Sequence, residues 1–598
     1  MKLKATLTFL LLLMILTINA QNFIEKQLPS PNNLSSFFIG SLLTSTIHYG
    51  EKPSNFNGEV LLFNHGYIDL NQLFFTGNTF YKEAYNAGYH VVFVGTTRGE
   101  GLWANGKLLA ESIDIITKKY TVNALTIIAH SNGGKAAEVA MFTYNKKDKV
   151  KKVFALGTPF WGTYLADISQ QWWFNWIWNQ TGLNEGAATS TTYYCRDVVR
   201  PYFDNLNTNQ PEKFFILGAS GFKHGHTIIA PLMFTSGSIL YLTQGTNDGV
   251  TSYRSSLRPE GYYLFNKGEA RLDHADLAFG QYVWPHIKPY LEGTINKTQF
   301  QKVNTKLENE ISSNYQIINS DNSYDKVVLN KPLETIKIEV FHEKKDAEFI
   351  LLSGNNKLIK TSKSSHLPQY NSSYTINNTN GSFSLNGNSR FAAFVHFTEG
   401  PKMNYKAQKE NETITISFEN TKIPNEEIEV DAIISKTSNL YGEKLKNESF
   451  VYPLTYNSGS NSFSLDTSNF DEGVYSLYIT GKHSEFVRSI VSGFTVGSLS
   501  IKQVNDDIVK SDSKEIEIAL KYNVIKDKIE LINTSTNSIE KIRIAVYNLN
   551  GEKLIEEDLT ENNRLFLIKS GVINLAKGLY IITVEKDNLR KSFKIIKK

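Results

Sequence analysis

Two patterns of apolar and polar positions divide the chain near Gly293. Ahead of that residue, short and nearly continuous apolar runs alternate with stretches of helical spacing, at 108–119 and 134–144. The apolar runs are 60–63, 89–94, 124–129, 153–156, 214–217 and 239–242. Continuous apolar strands suit a parallel sheet that helices cover on both faces. The alternation predicts a three-layer α/β domain over residues 59–294 with a mostly parallel sheet.

Beyond Gly293 the apolar residues alternate with polar ones, and Asn, Ser, Thr and Lys become more frequent. Residues 335–340 and 428–430 follow a period of two, which indicates half-buried antiparallel strands. Short strands separated by turns rich in Asn and Gly are typical of β-sandwiches. The predicted units are all-β sandwich-like domains at 325–400 and 405–498, a polar linker at 501–513 and a small unit at 516–598.

The first twenty residues have the pattern of a secretory signal peptide. Two lysines precede a twelve-residue apolar run, 7–18, and Ala20 is a small residue suited to cleavage. A membrane anchor is the alternative, but the run is shorter than the ~20 residues that span a bilayer. We predict a signal peptide at 1–20, a lead-in at 21–58, and an exported mature protein without a transmembrane segment.

Charge and cysteine content narrow the classes of function. The 598 residues include 63 Lys and Arg against 59 Asp and Glu, which gives a formal net charge of +4. This balance offers no general case for binding nucleic acid. The single cysteine of the sequence, Cys195, excludes an intrachain disulfide framework and a zinc site built from several cysteines.

The sequence Ala-His-Ser-Asn-Gly-Gly at 129–134 lies between a predicted buried strand and a predicted helix. Read as Ala-x-Ser-x-Gly, it has the pattern of a nucleophile elbow, in which small residues let the chain turn sharply and hold a serine above the sheet. The start of the following helix also favours developing negative charge. A glycine-rich turn without a function is the alternative. The flanking strand and helix favour Ser131 as a nucleophile.

A nucleophilic serine of this kind needs an acid and a base, which should follow it in that order. Residues 237–242 are predicted as a late strand, so that Asp248 would leave its carboxyl end toward the ligand crevice. An Asn-Asp-Gly turn is the alternative role for Asp248. His274, in a loop before the last helical pattern, would take the serine proton and return it to the leaving group. The histidines that do not occupy this late position are His224, His226 and His286.

The oxyanion of such a reaction needs hydrogen-bond donors near the serine. The residues Asn-His-Gly-Tyr at 64–67 follow the first predicted strand, and a His-Gly pair lets the backbone approach a substrate carbonyl. We predict the backbone amides of Tyr67 and Asn132 as the donors, each contributing ~3 kcal/mol in the transition state. An ordinary strand-to-loop turn is the alternative for the His-Gly pair.

From about 59 to 293 the sequence resembles the α/β-hydrolase lipases of secreted bacterial type. The resemblance rests on four segments. They are Asn-His-Gly-Tyr at 64–67, Ala-His-Ser-Asn-Gly-Gly at 129–134, Gly-Thr-Pro-Phe-Trp-Gly-Thr at 157–163 and Asn-Asp-Gly-Val at 247–250. The Asp-His-Ala-Asp block that contains His274 adds to it. The resemblance covers about two-fifths of the chain and implies the α/β-hydrolase fold.

Two further expectations come with this resemblance. A lid should follow the Gly-Thr-Pro segment, at about 163–210. An aspartate two residues after the base often binds Ca²⁺ in the family, which implies Asp276 here. No second carboxylate stands out before Asp248, and a polar loop residue or a helix cap is the alternative role for Asp276. The chemistry itself requires no cofactor.

The predicted lid contains a tryptophan cluster with four of the seven tryptophans in the sequence. Its members are Trp172, Trp173, Trp176 and Trp178. On a helix these rings would lie on nearly every face, so they would need partners all round. They either pack as a lid helix over the active site or present an aromatic surface to a lipid or an insoluble polyester. Both interpretations favour a bulky, water-poor acyl substrate.

The carboxyl-terminal segment resembles another family, the type A sorting domains of type IX secretion. The similar segments are Val-Tyr-Asn-Leu-Asn-Gly at 546–551, Leu-Ala-Lys-Gly-Leu-Tyr at 575–580 and Phe-Lys-Ile-Ile-Lys-Lys at 593–598. Such β-sandwich tails address unrelated cargo proteins to the outer membrane. The resemblance implies the type IX secretion machinery as a partner and a secreted or cell-surface protein.

The combined hypothesis is a secreted serine hydrolase that cleaves carboxylic esters, a lipase or carboxylesterase, with Ser131, Asp248 and His274 as its catalytic residues. An extracellular polyester depolymerase would use the same residues. A serine peptidase would use them too, because such a triad can cleave amides. A surface adhesin with a non-catalytic hydrolase domain is the remaining hypothesis, and the intact set of nucleophile, acid and base argues against it.

Overall fold

The computed structural model describes residues 23–32, 46–66, 78–96, 100–174, 185–227, 230–265, 269–293, 310–320, 327–344, 347, 349–353, 357–359, 362–363, 371–408, 412–445, 449–499, 518–521, 524–533, 541–547, 553–561, 564–586 and 589–597. The chain divides into two compact units, Met1–Ile177 with Leu183–Ser500, and Trp178–Gly182 with Ile501–Lys598. Within the described ranges, no helix is both long enough and apolar enough to cross a bilayer. The predicted signal peptide lies outside these ranges.

A mostly parallel sheet organises the amino-terminal half of the first unit. Its strands are β1 Ile24–Gln27, β2 Thr46–Tyr49, β3 Val60–Asn64, β4 His90–Gly95, β5 Leu125–His130, β6 Val150–Leu156, β7 Phe214–Leu217 and β8 Tyr262–Tyr263. They lie in the order β1-β2-β4-β3-β5-β6-β7-β8, and the β2–β4 pair is antiparallel while the others are parallel. The predicted α/β class is confirmed, and the sheet reaches back into the lead-in at 21–58.

Helices cover this sheet and connect its strands. They are α1 Phe80–Asn86, α2 Leu102–Tyr120, α3 Gly133–Glu138, α4 Tyr164–Ser169, α5 Glu185–Ala188, α6 Thr192–Tyr194, α7 Arg200–Asp204, α8 Ala230–Gln244 and α9 Gly280–Leu291. Phe63 and Phe93 on the strands pack with Phe80 of α1 and Trp284 of α9 in one hydrophobic core. Elsewhere α2 packs against α3, and α3 lies against β5 and β6. The helix that follows β5 is therefore held from two sides.

The prediction of a strand at 237–242 is wrong, because these residues lie inside α8. Ile239 and Leu240 are buried in α8, whereas Tyr241 is exposed. A four-residue apolar run does not distinguish a buried strand from a buried helical turn. Asp248 consequently follows a helix, and the next strand of the sheet, β8, comes after it.

Antiparallel sheets make up the rest of the first unit. Their strands are β9 Glu310–Ser313, β10 Tyr315–Asn319, β11 Val327–His342, β12 Phe349–Ser353, β13 Ser362–Lys363, β14 Asn371–Gly387, β15 Phe391–Phe397, β16 Lys402–Gln408, β17 Thr413–Glu419, β18 Glu429–Ser438, β19 Ser449–Pro453, β20 Thr455–Asn457, β21 Ser462–Asp466, β22 Gly473–His483 and β23 Phe486–Val496. This confirms the all-β character that the period of two predicts after Gly293.

The strands form a single-sheet layer and a sandwich. The first has the order β10-β15-β11-β14-β12, with β13 paired to β14. The sandwich has sheets in the orders β20-β21-β17-β16-β9 and β19-β18-β22-β23, which enclose one hydrophobic core. The sandwich thus includes β9, which lies outside the predicted bounds of 405–498.

A shared hydrophobic core joins these sheets to the α/β domain. On the α/β side it contains side chains from residues 164–174, which we call the lid segment, and from α8. Trp173 of the lid segment is 1% exposed and its ring lies 5.7 Å from that of Tyr478 on β22. The Tyr164 hydroxyl lies 2.7 Å from that of Tyr315 on β10. The antiparallel sheets are therefore part of the packing of the α/β domain.

The second unit is another arrangement of antiparallel strands. They are β24 Ile518–Leu520, β25 Val524–Ile525, β26 Ile529–Asn533, β27 Lys541–Tyr547, β28 Lys553–Thr560, β29 Leu565–Ile568, β30 Gly578–Lys586 and β31 Leu589–Lys597. They form sheets in the orders β24-β26-β29 and β25-β31-β30-β27-β28, with β25 and β31 parallel. Ile544, Phe566 and Ile582 belong to one core between them. This unit has its own core and is described by itself.

The buried position of Trp173 gives a prediction about stability. Replacing Trp173 by Ala should lower the free energy of unfolding by about 3–5 kcal/mol, because it empties a large volume in the shared core. Thermal and denaturant unfolding would measure the loss. The control is Trp172→Ala, since Trp172 is half-buried at the edge of the same core and should cost less. Equal midpoints for Trp173→Ala and the parent protein would contradict the prediction.

Candidate active site

Ser131 occupies a strained turn between β5 and α3. Its φ of 54° is in the left-handed region, which residues with a Cβ seldom adopt. The Ser131 amide donates to the carbonyl of Leu156 at the end of β6, at 2.9 Å. Asn132 is the cap residue at the start of α3. This is the conformation that the Ala-x-Ser-x-Gly pattern predicts, and it places the serine hydroxyl at the carboxyl edge of the sheet.

The backbone at Gly66 lies directly against this turn. A Cβ at position 66 would lie 2.4 Å from the Cβ of Ser131, 2.8 Å from its Oγ and 3.1 Å from the Asn132 amide nitrogen. Glycine is therefore required for the close approach. The residues around it line a small cavity; they are His65, Gly66, Thr96, Leu102, Asn105, Asn132, Gly133 and Ala136. The Asn132 amide is thus near the nucleophile, while Tyr67, its predicted partner donor, lies outside the described residues.

His65 holds the Gly66 backbone in this place. Its Nδ1 lies 2.6 Å from the carbonyl oxygen of Gly66, and the amide of Thr96 donates to its Nε2 at 3.2 Å. A carbonyl can only accept, so Nδ1 carries the proton and the ring is neutral. The His-Gly pair therefore has a specific packing role beside the nucleophile.

Asp248 and His274 form a hydrogen-bonded pair in loops that follow α8 and β8. The Nδ1 of His274 lies 2.8 Å from Oδ2 of Asp248. The other carboxylate oxygen accepts from the amides of Val250, at 2.9 Å, and Thr251, at 2.7 Å. The amide of His274 also donates to the carbonyl of Asp248, at 2.8 Å. Because the carboxylate accepts, Nδ1 carries a proton and Nε2 is left as the basic nitrogen.

Gly157 brings this pair next to the end of β6. A Cβ there would lie 3.0 Å from Oδ2 of Asp248 and 3.1 Å from Nδ1 of His274, and its φ is +60°. Gly157 follows Leu156, which binds the Ser131 amide. The elbow thus follows β5, and the Asp–His pair lies against the residue that follows the neighbouring strand β6.

His130 links the elbow to the His274 loop, a role that sequence reasoning missed. Its Nε2 lies 2.8 Å from the carbonyl oxygen of His274, and the two rings are 4.7 Å apart. Burial, and then the neighbouring His274, lower the pKa of His130 well below its usual value. His130 is therefore neutral. A histidine directly before the candidate nucleophile was the available signal.

The site is screened from water. Ser131 is 7% exposed, His274 3% and Asp248 1%. Charges in such a site interact more strongly than they do in water. Buried polar groups need hydrogen-bond partners, and the carboxylate of Asp248 has them.

Asp276, the calcium ligand that the resemblance implied, is engaged by protein groups. Its Oδ1 accepts from the amide of His226 at 3.0 Å, and its Oδ2 accepts from the His226 ring at 2.9 Å and from the amide of Asp273 at 3.2 Å. Among the described residues there is no cluster of three or more His, Cys, Asp or Glu side chains that could hold a metal ion. These side chains do not fit a calcium site, and Asp276 joins its own loop to the segment that contains His226.

The tryptophan cluster is described in part. Trp173 is buried in the shared core and Trp172 is half-buried beside it. Trp176 and Trp178 lie outside the described residues. For Trp173 the packed interpretation applies, because its ring faces Phe174 and Tyr478.

A buried ion network supports the helix that follows the nucleophile. Glu138, at the end of α3, accepts from Arg200 at 2.7 Å and from Arg258 at 2.8 Å. Arg258 also donates to Asn209, at 2.6 Å. Sequence reasoning missed this network, because its members are separated by up to 120 residues. It fixes α3 against α7, which follows β6, and against the segment just before β8.

Comparison with known families supports the carboxyl-terminal resemblance. Residues 523–598 match the secretion system C-terminal sorting domain. The protein is therefore exported and is secreted or located at the cell surface. This domain implies the type IX secretion machinery as a partner. No curated protein matches the sequence of the chain.

One solved structure shows the fold of most of the remaining part. The propeptide form of the Bacillus licheniformis lipase BlEst2 is similar with 18% identity and a TM-score of 0.57, over 75% of this chain and 97% of that chain. Its mature form gives 22% identity and a TM-score of 0.37, over 41% and 97%. A metagenomic carboxyl esterase has 15% sequence identity and a TM-score of 0.31, over 40% of this chain and 76% of that chain. The first likeness confirms the α/β-hydrolase fold.

The carboxyl of Asp273, next to His274, gives a prediction about pH. Burial raises its pKa to about 7, and its Oδ2 has no hydrogen-bond partner among the described groups. In the unfolded chain the same carboxyl ionises near pH 4. The folded state therefore loses stability from this group as pH rises from about 4 to 7, and the full cost remains above that range.

Replacing Asp273 by Asn, which is neutral and of the same shape, should raise the melting temperature more at pH 8 than at pH 5. Thermal unfolding in both buffers would measure the difference. Asp471→Asn changes an exposed carboxylate and should show no such pH dependence. A gain of the same size at both pH values would show that the Asp273 carboxyl ionises normally in the folded protein.

Proposed function

We propose that the chain is a secreted serine hydrolase that cleaves carboxylic esters through an acyl-enzyme. The observation that carries the proposal is the strained Ser131 turn on the same sheet edge as a buried Asp248–His274 pair. A plain glycine-rich turn has no need of a left-handed serine. A structural histidine has no need of a buried carboxylate that holds its Nδ1 and leaves Nε2 basic.

In the proposed reaction, Ser131 Oγ attacks the ester carbonyl and His274 Nε2 takes its proton. Asp248 keeps the imidazole in the tautomer with a protonated Nδ1 and stabilises the imidazolium that forms. The hydrogen bonds from Val250 and Thr251 fix the carboxylate for this role. The neutral His130 ring supports the His274 loop through its carbonyl and adds no competing charge.

The tetrahedral oxyanion would be stabilised by the Asn132 amide at the start of α3, with the Tyr67 amide as the proposed second donor. The start of a helix adds a favourable dipole there. The intermediate collapses as the alcohol leaves with the proton from His274. Water, activated by the same imidazole, then attacks the acyl-enzyme and releases the carboxylic acid.

An ester substrate is proposed over a peptide from the solved structure that shares the fold. The solved structure with the same fold is named a lipase. A polyester is the insoluble member of the same substrate class, and an extracellular protein would meet it outside the cell.

Labelling by a fluorophosphonate tests the nucleophile. The parent protein should be labelled and should hydrolyse p-nitrophenyl esters, whereas Ser131→Ala should lose both properties and keep its melting temperature. Ser112→Ala is the matched control, since Ser112 is a buried serine in the middle of α2 and should keep full labelling. Full hydrolysis by a folded Ser131→Ala protein would disprove the assignment.

The acid has its own test. Asp248→Asn should lower turnover about 10⁴-fold with little change in the fold, because the amide favours the wrong imidazole tautomer. Asp114→Asn, which changes a carboxylate paired with Lys146 and Lys149 near the surface, should leave turnover unchanged. A small effect of Asp248→Asn would assign the role to another carboxylate. A panel of short esters, triglyceride emulsions, polyester films and peptides then defines the substrate.

A further inference from the structure

Lys135 is a buried cation in the helix that begins beside the nucleophile. Its side chain is 0% exposed, although it lies one turn after Ser131. Its ammonium donates to the carbonyl of Thr189 at 3.2 Å and to Oγ of Ser190 at 2.9 Å, and it lies 3.6 Å from Sγ of Cys195. These three partners are a carbonyl, a hydroxyl and a thiol, none of them a carboxylate, and burial lowers the pKa of Lys135. Burying a lysine in this way is costly compared with an apolar side chain of similar size.

The ammonium fixes the direction of a short hydrogen-bond chain. Lys135 has only protons to give, so the Ser190 oxygen accepts from it. The hydroxyl proton of Ser190 is then directed to Oδ1 of Asn132, at 3.0 Å. The amide oxygen of Asn132 therefore accepts from Ser190. The donor of the same amide is its NH₂ group.

Asn132 lines the small cavity next to Gly66 and Ser131. No partner for its Nδ2 is found among the residues that the structure describes. With the oxygen bound to Ser190, the group that Asn132 can offer in the cavity is an N–H donor. A donor at this position matches the oxygen of an ester carbonyl and the negative charge that develops on it.

We propose that the Asn132 side-chain amide donates a hydrogen bond to the oxyanion, and that Lys135 and Ser190 are positioning residues that hold it in this orientation. The inference rests on the proposed serine-hydrolase function and adds a side-chain donor to its backbone donors. It gives the buried ammonium a role in catalysis that apolar packing could not fill. Lys135 acts through Ser190 and Asn132 and does not itself touch the substrate.

A double-mutant cycle tests the chain on a dissolved p-nitrophenyl ester. Asn132→Ala keeps the backbone amide and should lower kcat about 10²-fold with little change in KM, because it removes a transition-state donor. Asn132→Asp should lose as much, since it keeps the shape and can still accept from Ser190 but presents no N–H. Lys135→Met should lower kcat about tenfold by releasing the amide.

Coupling between the variants decides the matter. If Lys135 acts through Asn132, the double variant Lys135→Met/Asn132→Ala should be no slower than Asn132→Ala alone. Ser190→Ala interrupts the same chain with a smaller change, and it should also be coupled to Asn132→Ala; it serves as the second route if Lys135→Met does not fold. Effects on kcat that multiply, or an unchanged kcat in Asn132→Ala, would overturn the inference.

The failure of this inference is distinguishable from the failure of the proposed function. A parent protein that fluorophosphonate does not label, or a fully active Ser131→Ala variant, would reject the function itself. A labelled parent with independent Lys135 and Asn132 effects would reject the hydrogen-bond chain alone. A merely structural role for Lys135 would lower the melting temperature and leave the kcat of the folded variant unchanged.

Discussion

The left-handed backbone of Ser131 is the constraint on which the rest of the site depends. A residue with a Cβ keeps that conformation only when its surroundings fix it more strongly than the strain disfavours it. Here the amide is held by Leu156 on the neighbouring strand, and the space above the turn is closed by the backbone of Gly66. The same turn sets Asn132 at the start of α3. The nucleophile, its neighbouring amide and the helix terminus are thus fixed as one unit.

Burial determines which charges this unit can carry. Backbone amides and the His274 ring satisfy the carboxylate oxygens of Asp248. His130 lies just as deep but is neutral, so that it contributes a hydrogen bond without a charge. Lys135 is held by oxygens of residues that follow α5. In a medium of low polarity these neighbours act together, and the geometry of one depends on the bonds of the next.

Local pattern was sufficient for β3 to β7 and for the turn at Ser131, because each depends on a few consecutive residues; it did not indicate β1, β2 or β8. Chain order led to Asp248 and His274, which the structure pairs, although the segment ahead of Asp248 is a helix and not the predicted strand. The partners of Lys135 lie 54 to 60 residues away in sequence, so no local pattern could reveal its role. The packing of the lid segment against the antiparallel sheets could not be predicted from the sequence for the same reason. Alternation of polar and apolar residues indicates that a strand has a buried face, but it does not indicate which element covers that face.

The core shared by the lid segment and the antiparallel sheets has a consequence for biosynthesis. Gln171 donates to the carbonyl of Leu477, which is made 306 residues later. At about 5–20 residues per second, the ribosome needs roughly 15 to 60 seconds to add that length of chain. During this interval Trp173 and Phe174 have no partners in the sheets that later cover them. A chain that stops early therefore leaves uncovered an apolar face that the complete first unit buries.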